Sequence, residues 1–195
     1  MSLKFYTMKL NRSLVVSLVL TIFLSAVYRA MPNRPLGFAP QFAIALFAGA
    51  IFVKDKKWAF ALPLISMFIS DLLYQFLYNK GLTEIPGFYK GQWVNYLLFT
   101  SLTIFGFMVR SRKPLQVLGA SIATPTTFFL ISNFMVWAGG GGLKRPKTFE
   151  GLMMCYNDAL PFYANSLMAT AIFSAILFGG YYFLNQSIAK KNISL

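Results

Sequence analysis

The sequence predicts an all-α integral membrane protein, a single bundle of six transmembrane helices whose N-terminus and C-terminus both lie in the cytoplasm. Composition is the first observation: 57% of the 195 residues are hydrophobic and 12% are charged, whereas a soluble domain has about a quarter of its residues charged. The mean hydropathy of +0.59 agrees. The second observation is the recurrence of apolar segments, and the third is the basic residues in the turns between them.

Each predicted helix is an apolar segment of roughly the 20 residues needed to cross a bilayer. The first, 13–28, follows a basic N-terminus and is interpreted as an uncleaved helix because no small-residue cleavage site follows it. The second, 38–53, is short and rich in alanine. The remaining segments are 58–78, 93–109, 114–137 and 165–184, with a long outer loop at 138–164.

The distribution of Lys and Arg sets the orientation. With a cytoplasmic N-terminus, the cytoplasmic segments hold eleven of the 18 basic residues and the longer outer loops hold the other seven, as the positive-inside rule requires. Trp93 and Trp137 then lie at the outer interface and Trp58 at the inner one, where aromatic belts form. The sequence therefore predicts a multi-pass membrane protein, whose partners include the lipid bilayer.

The side-chain inventory excludes several classes of site. The chain has no histidine and a single cysteine, Cys155, so a triad with a His base, a His-ligated metal or haem, a Cys cluster and an internal disulfide cannot form within it. We therefore predict no catalytic residue, no metal site and no cofactor, and a chain that is not an enzyme. The net charge of +13 is spread over short loops, which favours membrane topology over nucleic-acid binding.

Asp71 is the sole acidic residue inside a predicted span, and a carboxylate within a membrane normally faces a cavity or a partner. Under the predicted topology Asp71, Asn95, Asn133 and Asn165 fall in the outer third of the membrane on four different helices. We interpret this convergence as an outward-opening polar and aromatic pocket. The alternative is that Asp71 pairs with an arginine or asparagine and only holds the bundle together. The candidate ligand-binding residues are Asp71, Gln75, Asn95, Asn133, Trp137, Tyr156 and Asn165.

Two further patterns have open interpretations. The outer loop 138–164 contains four consecutive glycines and an aromatic middle, which suits a hinged lid, although an ordinary surface loop explains it equally well. Small residues recur at intervals of four at Ser17 and Thr21, and again at Ala45 and Gly49. Such spacing allows close helix approach. Internal contact is the favoured explanation, and docking of a partner membrane subunit is the alternative.

A resemblance is carried by five stretches of the chain: PNRPLGFAPQFAIALFAGA at 32–50, NFMVW at 133–137, GLMMCY at 151–156, PF at 161–162 and NSL at 165–167. They resemble an uncharacterised family of small bacterial inner-membrane proteins. This resemblance implies that the protein lies in the bacterial inner membrane. More distantly, the predicted arrangement of helices and loops resembles the substrate-binding (S) subunits of energy-coupling-factor vitamin transporters. That resemblance implies six helices, an outward pocket capped by loops, and a small-residue helix face that docks on a coupling subunit.

The sequence leaves two candidate functions, which belong to different classes. The first is a binding subunit for uptake of a small organic molecule, since a pocket of one carboxylate, several amides and many aromatics suits a heteroaromatic or cationic ligand. The chain has no nucleotide-binding loop, so active transport needs separate ATPase and coupling subunits. The alternative is a structural or accessory subunit of a larger bacterial envelope complex, which predicts stable co-purification and a polar cluster closed to solvent.

Overall fold

The structure is a computed structural model that describes residues 22–23, 25–28, 31, 35–109 and 113–191, with side chains described as far as Phe183. Within these ranges all regular structure is helical, which confirms the predicted all-α class. Residues 22–23 and 25–28 of the first predicted segment are helical. The rest of that segment, including Ser17 and Thr21, lies outside the described residues. The six main helices are α1 (Gln41–Ile51), α2 (Lys56–Asn79), α3 (Gln92–Ser101), α4 (Thr103–Met108), α5 (Pro114–Gly139) and α6 (Phe149–Lys191).

Three of these helices are long and apolar enough to cross a membrane. They are α2, α5 and the part of α6 from Phe149 to Phe183. Each presents many large apolar side chains on its outside, Leu72, Leu130 and Ile176 among them. An apolar exterior of this extent is typical of helices that face lipid. The chain therefore has the character of a membrane protein, in agreement with its composition.

Helix α1 is the centre of the bundle. Every residue from Gln41 to Ala50 is buried, and α1 contacts all five of the other main helices. A helix that is apolar on all sides is expected to be surrounded in this way. At 11 residues, α1 is about 16 Å long, roughly half the thickness of a bilayer core. The predicted second span, 38–53, is therefore too long by several residues.

Small residues bring α1 against α4. A Cβ on Gly49 would lie 2.3 Å from the carbonyl oxygen of Thr103, and a Cβ on Gly106 would lie 2.7 Å from the Cα of Gly49. Ala45 is fully buried beside this crossing. The small-residue spacing of Ala45 and Gly49 thus serves internal contact. The alternative, docking of a partner subunit on these two residues, is wrong because neither reaches the surface.

The fourth predicted segment, 93–109, forms two successive helices. Leu102 separates α3 from α4, and the N–H groups of Leu102 and Phe105 donate to carbonyls three residues back, at 3.2 and 3.1 Å. Such tighter hydrogen bonding locally replaces the α-helical pattern. The break occurs where α4 approaches the backbone of α1.

The largest correction concerns the predicted outer loop 138–164 and the predicted helix 165–184. Helix α6 begins at Phe149 and continues to Lys191, so the connection from α5 is the short segment 140–148, here called the α5–α6 turn. Thr148 caps α6 by accepting the N–H of Gly151 at 3.1 Å. Arg145 in the turn pairs with Asp158 through two hydrogen bonds of 2.8 Å. The capped start and the compensated charge allow a segment with polar residues and Pro161 to remain helical. A long hinged lid is therefore absent from this part of the described chain.

Candidate ligand-binding site

A cavity of about 140 Å³ lies between α2, α3 and α5. Its wall has a polar side, which centres on Asp71, and an aromatic side. The described lining residues are Met67, Asp71, Tyr89, Gln92, Asn95, Tyr96, Phe99 and Phe128. Segment 80–91, here called the α2–α3 loop, contributes Tyr89 and so covers part of the cavity.

Asp71 is held in place from α3. It is 2% exposed, and its Oδ2 accepts a hydrogen bond from Gln92 Nε2 at 2.6 Å. The Tyr96 hydroxyl donates to the same oxygen at 2.6 Å. Two donors on one carboxylate oxygen fix the side chain at the wall of the cavity.

Gln92 links the carboxylate to the α2–α3 loop. Its Nε2 also donates to the carbonyl oxygen of Gly87 at 2.9 Å, and its Oε1 accepts the backbone N–H of Tyr89 at 3.3 Å. Gly87 lies so close to α2 that a Cβ there would be 1.9 Å from the carbonyl oxygen of Asp71. This position requires glycine because no side chain fits between the loop and the helix.

Two more predicted residues belong to this region. Asn95 lines the cavity, and its Nδ2 donates to the Tyr89 hydroxyl. Gln75 lies one turn beyond Asp71 on α2 and does not line the cavity; its Oε1 accepts the N–H of Phe88 at 3.3 Å. Gln75 therefore anchors the α2–α3 loop, and Asn95 connects that loop to α3.

The structure separates three predicted residues from the cavity and places them along the α5–α6 pair. Asn133 donates to the Phe129 carbonyl within α5 at 2.8 Å. Trp137 donates through Nε1 to the carbonyl of Pro146 at 2.7 Å. The hydroxyl of Tyr156 donates to the Leu130 carbonyl at 2.9 Å. Asn133 thus bonds within α5, Trp137 ties the end of α5 to the α5–α6 turn, and Tyr156 joins α6 to α5. The hydrogen bond to Asp158 also raises the pKa of Arg145 in the α5–α6 turn.

Asn165 is also remote from the cavity. Because α6 begins at Phe149, Asn165 is about 24 Å along the helix and is not at its outer end. Its Nδ2 donates to the Leu36 carbonyl at 2.9 Å, and Ser166 donates to the Gly37 carbonyl at 3.0 Å. These bonds hold the chain that enters α1 against the middle of α6. The predicted convergence of four polar residues is therefore limited to Asp71 and Asn95.

Sequence reasoning missed Gln92, Tyr96 and the α2–α3 loop. A signal was present: Gln92, Asn95, Tyr96 and Phe99 have the i, i+3, i+4, i+7 spacing of a single helix face. All four line the cavity. The pattern was hidden because the predicted helix began at residue 93, one position after Gln92. The chemistry of this face is recognition: it offers a carboxylate, an amide and aromatic rings.

The fold and the cavity together define a class of protein. In the part that the structure describes, the chain is all-helical and has membrane character. It also has a cavity with a polar side and an aromatic side. The chain belongs to a protein family described as a family of unknown function (DUF6580), whose model matches residues 8–192. A search of curated proteins and a search of solved structures each found no match. Membership of an uncharacterised family agrees with the resemblance noted in the sequence.

Proposed function

We propose that the protein is a membrane-embedded subunit that binds a small organic molecule for its uptake, and that the cavity at Asp71 is the binding site. The observation that supports this most is the cavity itself, which combines a buried carboxylate with the amide of Asn95 and several aromatic rings. Small-molecule sites are typically concave, largely apolar, and supplied with a few placed polar groups. Energy for uptake would come from separate partner subunits.

The proposal includes six membrane spans, cytoplasmic termini and a bacterial inner membrane. In this topology the α2–α3 loop is on the outer side, so the cavity receives its ligand from outside. The proposed arrangement resembles that of the S subunits of energy-coupling-factor transporters. The difference is that the α2–α3 loop, and not a loop after α5, covers the cavity. In this proposal the α2–α3 loop is the gate, because it contributes Tyr89 to the wall of the cavity. Its opening would break the hydrogen bonds from Phe88 to Gln75 and from Tyr89 to Gln92.

The topology is tested with single cysteines on a Cys155→Ala background. Lys144→Cys in the α5–α6 turn is expected to react with a membrane-impermeant maleimide on intact cells. Asp55→Cys, between α1 and α2, is expected to react only after the membrane is opened. The opposite labelling pattern would overturn the orientation.

The binding site is tested by native mass spectrometry of the protein extracted in lipid nanodiscs from its own membrane. The wild type is expected to carry a bound small molecule. Asn95→Phe fills the cavity and is expected to abolish that adduct. Asn133→Phe is the matched control, since Asn133 does not line the cavity, and it is expected to retain the adduct. An adduct that survives Asn95→Phe, or a wild type without any adduct, counts against the proposal.

One observation favours the second candidate, an accessory subunit of an envelope complex. Asp71 already accepts two short hydrogen bonds within the chain, which is what a purely structural cluster needs. In that case Asp71 joins α2 to α3, and the expected result is a stable complex with other membrane proteins after mild extraction. Asp71→Asn would then dissociate or unfold the complex without any change in small-molecule adducts.

A further inference from the structure

We propose that Phe128 of α5 is the residue that determines the size of the ligand, and that it restricts the cavity to molecules with a single ring. This inference rests on the proposed function and adds to it a specificity-determining residue and an upper limit on ligand size. It is supported by the position of Phe128 in the wall, by the contacts that hold its ring in place, and by the volume beside that ring.

Phe128 is the contribution of α5 to the described wall of the cavity. The other described lining residues belong to α2, the α2–α3 loop and α3, which follow one another in the chain. The cavity therefore lies between two parts of the bundle, and Phe128 closes it on the side of α5. A change in the size of this one side chain alters the width of the cavity and leaves the polar side, which comes from α2 and α3, in place.

The ring of Phe128 lies at the inner end of the cavity. Tyr89 in the α2–α3 loop is 50% exposed, whereas Phe99, further along α3, is 4% exposed. Phe99 and Phe128 both pack against Phe42 of the central helix, with ring centroids 5.3 and 5.1 Å from the Phe42 ring. A ligand that enters past the loop therefore meets these two rings last, and their separation from the polar wall limits how large it can be.

The contacts around Phe128 prevent its ring from moving aside. The ring meets the edge of Phe42, which is itself 9% exposed, at an interplanar angle of 62°. The adjoining part of α5 is fixed to α6, because the hydroxyls of Thr126 and Tyr163 share a hydrogen bond of 2.8 Å and the Phe129 ring stacks on Tyr163 at 4.6 Å. A closely packed wall yields little to a larger guest, so Phe128 can discriminate between ligands by size.

The volume sets the limit at one ring. The cavity measures about 140 Å³, and an apolar cavity near 150 Å³ holds a molecule of the size of benzene. The side chain of Phe128 is itself a benzene-sized ring, so its removal roughly doubles the available space. A molecule with a second, fused ring would then fit. The size limit thus depends on this side chain and is independent of the polar chemistry of the ligand.

The test is isothermal titration calorimetry on the full-length protein in nanodiscs, with lipid-only nanodiscs as the reference for partition into the bilayer. The probes are 2-pyridone and 2-quinolone, which share the same amide edge and differ by one fused ring. We expect the wild type to bind 2-pyridone at least about tenfold more tightly than 2-quinolone, because even one surplus methylene in an apolar pocket costs about 10–200-fold. Phe128→Ala is expected to raise the affinity for 2-quinolone at least about tenfold.

Phe134→Ala is the matched control, since it makes the same change on the same helix at a ring that is 48% exposed and is not among the described lining residues. It is expected to retain the wild-type preference for 2-pyridone. The readout is the ratio of the two affinities, which a general loss of stability would not reverse.

The outcomes separate this inference from the proposed function. An unchanged ratio in Phe128→Ala, or equal affinities of the wild type for the two probes, overturns the role of Phe128 and leaves the binding function intact. Failure of both probes to bind the wild type and Phe128→Ala overturns a site for compact ring molecules, and with it this inference, while the native adduct decides the binding function separately. If Phe128→Ala fails to fold, Phe128→Leu replaces it and is expected to raise the affinity for 2-quinolone severalfold. An unchanged ratio in Phe128→Leu would contradict the size limit.

Discussion

Replacing Gly87 with alanine is expected to push the α2–α3 loop away from α2. The added Cβ would lie 1.9 Å from the carbonyl oxygen of Asp71 and 2.5 Å from the backbone nitrogen of Gln75. Both neighbours belong to the backbone of a long helix and cannot yield as a flexible side chain could. The loop must therefore retreat by about 1.5 Å to reach ordinary van der Waals distance.

A shift of this size breaks the hydrogen bonds that join the loop to the site. The bond from Gln92 Nε2 to the Gly87 carbonyl is 2.9 Å long, and the bond from Phe88 N–H to Gln75 Oε1 is 3.3 Å long. Each contributes about 0.5–1.5 kcal/mol to the free energy of unfolding. The expected loss is about 1–3 kcal/mol for the pair, or about 2–12 °C in Tm for a chain of this size.

The assay is thermal unfolding of the purified protein in nanodiscs, followed by circular dichroism and tyrosine–tryptophan fluorescence. Gly119→Ala is the matched control, because nothing lies within 4 Å of a Cβ at that helical position, and alanine is the better helix former there. Its Tm is expected to stay the same or to rise slightly. If Gly87→Ala unfolds at the wild-type temperature, the close approach of the loop to α2 is wrong.

Three further changes test other parts of the fold. Gly106→Ala brings a Cβ to 2.3 Å from the Leu46 carbonyl oxygen and is expected to separate α4 from α1. Its Tm is expected to fall by more than Gly119→Ala changes the Tm. Equal melting curves for the two variants would contradict the close contact between α1 and α4. Tyr156→Phe removes a hydrogen bond between α6 and α5 and is expected to cost about 0.6 kcal/mol, measured by reversible unfolding in SDS. Thr148→Ala removes the cap on Gly151 and is expected to cost about 1 kcal/mol, with Thr148→Ser restoring the wild-type value; an unchanged alanine variant would argue against a helix start at residue 149.

The parts of the fold that were predictable from the sequence depend on single helices. Segments 58–78 and 114–137 correspond closely to α2 and α5, because a long apolar run must be helical to satisfy its backbone in a membrane. The start of α6 was missed, although Thr148 followed by Glu150 is a recognisable helix beginning. Polar residues and Pro161 made this segment resemble a loop. The compensating contact with Arg145 depends on the turn geometry and is not visible in the spacing.

The site was predictable in the same limited way. Asp71 stands out because an acidic residue in an apolar helix is costly and needs a reason, and Asn95 faces the same cavity. Asn133, Trp137, Tyr156 and Asn165 share the polar character but bond to nearby backbone carbonyls. A polar side chain in an apolar segment must find a partner, and the sequence does not say whether that partner is the backbone or a cavity.

The amino-acid sequence by itself determined that this is an all-helical chain of membrane character and that Asp71 is its exceptional residue. Both conclusions follow from composition and local periodicity, which act on each segment separately. Only the tertiary structure decided that α1 is central, that Gly49 faces Gly106, and that the α2–α3 loop closes on Asp71 through Gln92. These features arise from contacts between segments distant in the chain, and their geometry is set by how closely backbones approach, which no single segment encodes.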